Sequence, residues 1–311
     1  MSLPHTILAS LAPIFFVTAL GWLAGRRKWV PEDASATLAG FVIRFALPLS
    51  LFLAAASADR SAILNAPFVL TIAIGLMGSL GAGYLFGRLA YRRRIGEAAV
   101  QGVSTAFANM AYCGPPVMLA VVGPQGMLSI VIGNLVLSML MLPTALFALS
   151  HDGRGENGGG VGATLLEAVA QPLVVLPAAG LALAVLAVPV PAIVTSSVDQ
   201  IGKAAGGVAL FTLGLILSKI KPEIDLEVAG NVLIKNVLQP AILLGAGLAL
   251  GLQDGWLKQA FLLGVLPTAT AVPTFALAHH AYEHDSAETV LWSTLAAILS
   301  ISGGIAIARN L

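Results

Sequence analysis

Two short stretches set polar and helix-breaking residues inside otherwise apolar sequence. "FANMAYCGPPVMLAVVG", residues 107–123, holds Asn109, Tyr112, Gly114 and the consecutive Pro115 and Pro116. "LPTATAVPT", residues 266–274, holds Pro267, Thr268, Thr270 and Pro273. A proline inside a helix removes one hydrogen bond and clashes with the preceding turn, at a cost of about 3 kcal/mol or more. In lipid the freed carbonyls find no water, so such backbone survives only where protein buries it or where it lines a wet cavity. A break at that depth leaves N–H groups at one half-helix end, suited to an anion, and carbonyls at the other, suited to a cation. A packing kink accounts for a lone proline such as Pro48 or Pro143. It accounts poorly for two polar breaks, and these stretches read as a substrate site.

Basic residues add to the candidates. Arg44 has Gly40, Phe41, Leu47 and Pro48 as its helical neighbours, with no acid among them. It lies about 15 Å into its helix at 1.5 Å per residue. A buried Arg costs about 2.5–3.5 kcal/mol even on the mildest scale, so a substrate carboxylate, a structural pair or snorkelling must satisfy it. Lys203 has Asp199 one turn earlier, in the favoured acid-first order, and an internal pair explains both. Gln125, Asn134, Ser293 and Thr294 either line the cavity or join helices to one another. In "HHAYEHD", His280 and His284 have metal-ligand spacing, but a solvated helix end is the simpler reading and no metal is expected.

The elements that must position these residues follow from composition. The 311 residues are 58% hydrophobic and 10% charged, with a mean hydropathy of +0.92. A soluble domain carries roughly 25% charged residues, so this is an integral membrane chain. Long unbroken apolar runs, without polar alternation, make the spans helical and exclude a barrel. A net charge of +1 with no basic stripe offers nothing to nucleic acid. Apolar windows of about 20 residues place ten spans near 6–25, 34–57, 67–90, 97–121, 125–149, 162–187, 192–218, 228–250, 256–280 and 287–308.

Lys and Arg set the orientation. "RRK", "RLAYRRR", Arg154, Lys219 and Lys221 follow the odd spans one to seven, whereas the opposite loops hold only Arg60 and Lys258. The first set is cytoplasmic, both termini lie outside, and the first span is retained. The Gly-rich segment 150–161 divides the chain into repeats 1–149 and 162–311. Five spans per half make the second repeat inverted, a common plan for secondary transporters. "RFALPLSLF" from Arg44 and "KAAGGVALF" from Lys203 correspond, as do the broken fourth and ninth spans.

At these residues the chain resembles the auxin efflux carrier family, which includes plant auxin exporters and bacterial malonate or malate carriers. "ALPLSLF", Asn109 with Gly114 and Pro116, "LPTATAVP" and "ALAHHAYEHDSAETVLWSTLAAILS" carry the resemblance. It implies an all-α membrane fold like the bile-acid symporters and NhaA, with broken spans 4 and 9 crossing at mid-membrane. It also implies a scaffold of spans 1, 2, 6 and 7, a mobile transport domain of spans 3–5 and 8–10, elevator motion and a homodimer. Asn109 falls on the family's substrate-contact position. The ninth span has no Asn there, and Thr268 or Thr270 stands in its place.

The expected function is a secondary active or facilitative carrier of small organic anions in the cytoplasmic membrane. Its substrates would be mono- or dicarboxylates such as malonate or malate, or auxin-like aromatic acids. Substrate contacts would come from Asn109, Tyr112, Gly114, Thr268, Thr270 and Arg44, with Pro115, Pro116, Pro267 and Pro273 holding the breaks. Acids near spans are few, namely Glu97, Glu167 and Asp199, which weakens proton coupling and leaves H+, Na+ or uniport open. The alternatives are a channel or sensor on the same fold and a cation-coupled, bile-acid-like symporter. An intramembrane enzyme is disfavoured, since no catalytic pair or metal motif lies at depth.

Overall fold

The computed structural model describes residues 3–58, 65–150, 170–219, 225–309 and 311. The linker 150–161 apart from Ser150, together with Arg60, Arg154, Glu167 and Lys221, lies outside the described residues. Those residues are helical, with no strand beyond one isolated bridge. The reason is physical: in hydrocarbon a helix satisfies its own backbone, which an open strand cannot do.

The helices in chain order are α1 Leu3–Arg26, α2 Ala34–Ala56, α3 Ala66–Ala90, α4 Ile95–Ala106, α5 Gly114–Val121 and α6 Gly126–Leu149. They continue with α7 Pro172–Val185, α8 Ala192–Gly202, α9 Ala204–Leu217, α10 Leu226–Ala249, α11 Asp254–Gly264, α12 Val272–Ala278 and α13 Glu283–Ala308. Six segments among the described residues are long and apolar enough to cross a membrane: α2, α3, α6, α8 with α9, α10 and α13. The expected fourth and ninth spans are interrupted, α4 from α5 and α11 from α12.

Proline shapes the intact spans too. Among the described residues three helices contain a π-turn, Val42–Ala46 in α2, Leu137–Met141 in α6 and Ile234–Leu238 in α10. Each ends two residues before a proline: Pro48, Pro143 and Pro240. The proline ring clashes with the carbonyl four residues back, which is that of Arg44, Met139 or Asn236. Widening the preceding turn accommodates it: the N–H groups of Leu47, Leu142 and Gln239 reach back five residues to Val42, Leu137 and Ile234. The expected weak point at Pro48 is thus a π-turn centred on Arg44. In the seventh span the interruption falls on Lys203 itself, ahead of Gly206 and Gly207.

The chain forms two compact units. One contains Met1–Ala66, Met110–Asn134 and Ala170–Lys219, hence α1, α2, α5, the first part of α6 and α7–α9. Close backbone approach holds it together. A Cβ on Gly214 would lie 2.0 Å from the Thr18 carbonyl oxygen, and one on Gly180 would lie 2.5 Å from that of Phe52. Glycine in these faces allows helix contact without a hydrophobic driving force, which lipid does not supply.

The other unit contains Pro67–Asn109, Leu135–Val169 and Ile220–Leu311, hence α3, α4, the later part of α6 and α10–α13. Its interior is unusually polar for a membrane segment. Gln101, Asn109, Asn231, Lys235, Gln239, Thr268 and Ser293 are all fully buried. Leucines such as Leu89 and Leu299 point outward instead, as a lipid-facing surface requires.

Candidate functional site: the paired helix breaks

The break in the fourth span and the break in the ninth meet within the second unit. Ala108 and Thr268 form an antiparallel bridge. The Asn109 N–H donates to the Pro267 carbonyl at 2.8 Å, and the Ala269 N–H donates to the Phe107 carbonyl at 2.8 Å. Two extended tripeptides thus satisfy each other where proline has removed the helical ladder. Asn109, Pro267 and Thr268, singled out from sequence, lie in this bridge, and Thr270 is buried just beyond it.

Side chains from neighbouring helices take up the carbonyls at the ends of α4 and α11. Gln239 Nε2 donates to the Ala106 carbonyl at 2.7 Å, and the Thr268 hydroxyl donates to that of Ser104 at 2.9 Å. Lys235 Nζ donates to the Gly264 carbonyl at 3.1 Å and also to that of Leu266. Ser300 Oγ donates to the Val265 carbonyl at 3.0 Å. Ser293 links break and support: its hydroxyl accepts from the Thr268 N–H at 2.9 Å and donates to Asn236 Oδ1 at 2.6 Å. Both donors of Thr268 are therefore committed within the protein, which makes it a brace for the bridge. Thr294 Oγ1 and Gln239 Oε1 are buried without a hydrogen-bond partner among the described residues.

The sequence reading missed Lys235, Asn236 and Gln239. A signal existed: with Asn231 they occupy i, i+4, i+5 and i+8 of an apolar helix, one polar face at helical spacing. Gly264 makes the contact close, since a Cβ there would lie 2.7 Å from Pro240 Cα.

Within the first unit, Pro115 and Pro116 line a cavity of ≈ 680 Å³ together with Ser50, Asp199, Lys203 and Gly206. That volume falls in the range of small-molecule pockets, about 300–1,000 Å³. Lys203 Nζ lies 2.5 Å from Asp199 Oδ2, the pairing expected from spacing. The N-terminal turn of α5 is a thin anion seat, because Pro115 and Pro116 carry no N–H. Tyr112 and Gly114 are buried at its start.

Other candidates are placed elsewhere. Arg44 is exposed, makes no hydrogen bond or ion pair among the described residues and is not in the lining of that cavity. Asn134 donates within its own helix to the Ile130 carbonyl at 3.0 Å, and exposed Gln125 donates to that of Val122 at 2.6 Å. Pro273 opens α12. No group of three or more metal-ligating residues occurs among the described residues.

A second polar knot ties the loop after α3 to α10 and α13. Arg93 forks onto Glu227 at 3.0 and 2.8 Å and reaches Asp285 at 2.6 Å. The bond to Glu227 raises the pKa of the guanidinium, so it stays charged at every accessible pH. The Tyr282 hydroxyl accepts from Asn231 at 2.8 Å and donates to Glu227 at 3.2 Å. Burial raises its pKa, which keeps the donor in place.

A family model described as "Membrane transport protein" matches residues 6–158 and 161–305. A protein named "Uncharacterized transporter YfdV" of Escherichia coli (strain K12) is 26% identical over 307 residues, 97% of this chain and 98% of that protein. "Putative malonate transporter" of Rhizobium meliloti (strain 1021) is 26% identical over 311 residues, 96% of this chain and 94% of that one. The family match includes both breaks. The chain belongs to this membrane transport protein family, the auxin efflux carrier family that its broken spans resemble.

Proposed function

We propose that the protein is a secondary carrier of small organic anions, of the mono- or dicarboxylate class that includes malonate and malate. The observation that carries this reading is the antiparallel bridge between two proline-broken helices, with Asn109 buried in it. Broken helices in corresponding positions of two halves are where secondary transporters bind substrate. The relative named as a malonate transporter supports the substrate class.

In this reading ten spans form two inverted repeats, both termini lie outside the cytoplasmic membrane and the carrier is a homodimer. Asn109 hydrogen-bonds the substrate carboxylate. An elevator motion carries the spans of the second unit, while α1, α2 and α7–α9 act as the scaffold. The membership of the two units supports that division, except that α5 and the first part of α6 group with the scaffold spans. The cavity walled by Pro115, Pro116 and Lys203 is a second place where an anion can be held.

Counterflow of labelled malonate, malate and indole-3-acetate in proteoliposomes tests the reading. Saturable counterflow of one acid, lost in Asn109→Ala, is the expected result. Counterflow that survives the substitution moves the site, and Lys203→Gln is then the next variant. Flux without counterflow or saturation replaces the carrier with a channel.

A further inference from the structure

Lys235 is a basic side chain set wholly inside the second unit at the helix breaks. It lies on the π-turn of α10, is fully buried, and directs its nitrogen at the Gly264 and Leu266 carbonyls. Those carbonyls belong to the C-terminal end of α11 and to the first residues of the break. A helix C-terminus carries roughly half a negative charge. In discontinuous membrane helices, such carbonyl ends are what coordinate a coupling cation such as Na+. A buried ammonium is costly in a bilayer even on the mildest scale, so a chain that keeps one there needs it.

We propose that the Lys235 ammonium is the resident cation of the helix break, occupying the carbonyl cradle of Gly264 and Leu266 in place of a coupling Na+. The geometry is built for it. Pro240, one turn beyond, forces the π-turn that carries Lys235, and Gly264 lets α10 approach α11 until its Pro240 Cα would lie 2.7 Å from an added Cβ. Gln239, one turn from Lys235, braces the other break by donating to the Ala106 carbonyl at 2.7 Å. One consequence follows for the anion carrier, on whose reading this rests: transport proceeds without Na+.

The test uses the full-length protein in proteoliposomes and in detergent, with Na+ or choline at equal ionic strength. Wild-type malonate counterflow is the same in both salts within about twofold, and the melting temperature does not respond to Na+. Lys235→Ala loses counterflow about tenfold or more in choline and regains it with Na+ or methylammonium, either of which fills the emptied cradle. Its melting temperature rises by about 2 °C or more with either cation. Lys235→Met, which fills the space without charge, stays inactive in every salt. Stimulation of the wild type by Na+ of more than about threefold overturns the proposal, as does a Lys235→Met protein that transports like the wild type. A folded Lys235→Ala that responds to neither cation in flux or melting also overturns it. If Lys235→Ala does not fold, wild-type indifference to Na+ together with Lys235→Met decides. If the wild type shows no malonate counterflow, the malonate reading fails, and melting in the two salts still judges the lysine.

Discussion

Single residues in this protein act mostly by giving a buried backbone group somewhere to go. Ser293 is the clearest case, since its hydroxyl accepts from the Thr268 N–H and holds Asn236. Ser293→Ala leaves a buried N–H without an acceptor, at a cost of about 1–3 kcal/mol. The expected outcome is a lower melting temperature and weaker counterflow, with the fold retained by circular dichroism. Arg93 works differently, because it compensates two carboxylates at once, those of Glu227 and Asp285. Arg93→Ala leaves those acids together and destabilises by about 3 kcal/mol, near the low end for breaking a buried pair because Arg93 is partly exposed. The triple variant Arg93→Ala, Glu227→Gln, Asp285→Asn melts above the single one, since it removes the uncompensated charge as well as the bridge. Denaturant titration of the two purified proteins checks the order.

At the level of elements, close packing decides which glycines matter. Gly303 and Gly304 are adjacent in α13, yet a Cβ on Gly303 meets nothing within 4 Å, whereas one on Gly304 lies 2.8 Å from Val265 Cγ1. Gly303→Ala is expected to be neutral or to stabilise by up to about 1 kcal/mol through helix propensity. Gly304→Ala pushes α13 against the ninth-span break, costs about 1–3 kcal/mol and lowers counterflow. Parallel melting curves and flux assays on the two variants distinguish them. Proline governs the other elements. Pro240→Ala removes the clash that widens Ile234–Leu238 and returns α10 to α-helical hydrogen bonding. That change rotates Lys235 relative to Gln239, so transport falls while the helix itself becomes more regular.

The whole molecule is a membrane transport protein with an apolar exterior, a mostly apolar interior and an unusually polar interior in its second unit. Its buried polar residues concentrate in the unit that contains the bridge between the two breaks. The topology proposal makes a direct prediction. In a Cys113→Ser background, single cysteines placed at residue 2 or residue 310 react with a membrane-impermeant maleimide from the outside of intact cells. Cysteines placed beside Lys28 or Arg92 react only after permeabilisation. Reversed labelling overturns the orientation read from Lys and Arg.

Much of this was legible in the sequence, and the reason is that proline, hydropathy and helical spacing act locally along the chain. Apolar runs alone determine an all-helical membrane protein. Pro115, Pro116, Pro267 and Pro273 alone determine that two spans break, and Asp199 four residues before Lys203 determines that pair. The sequence could not say which side chain would serve each freed carbonyl, because those partners are far apart in the chain. Gln239 and Ala106 are separated by 133 residues, and Thr268 and Ser104 by 164. Only tertiary structure brought Phe107–Asn109 against Pro267–Ala269, turned Thr268 into a brace and left Arg44 exposed on a π-turn. It also placed Lys235 on the carbonyl end of a broken helix: a buried cation settles where packed neighbours offer it oxygen, and the chain's linear order does not record where that is.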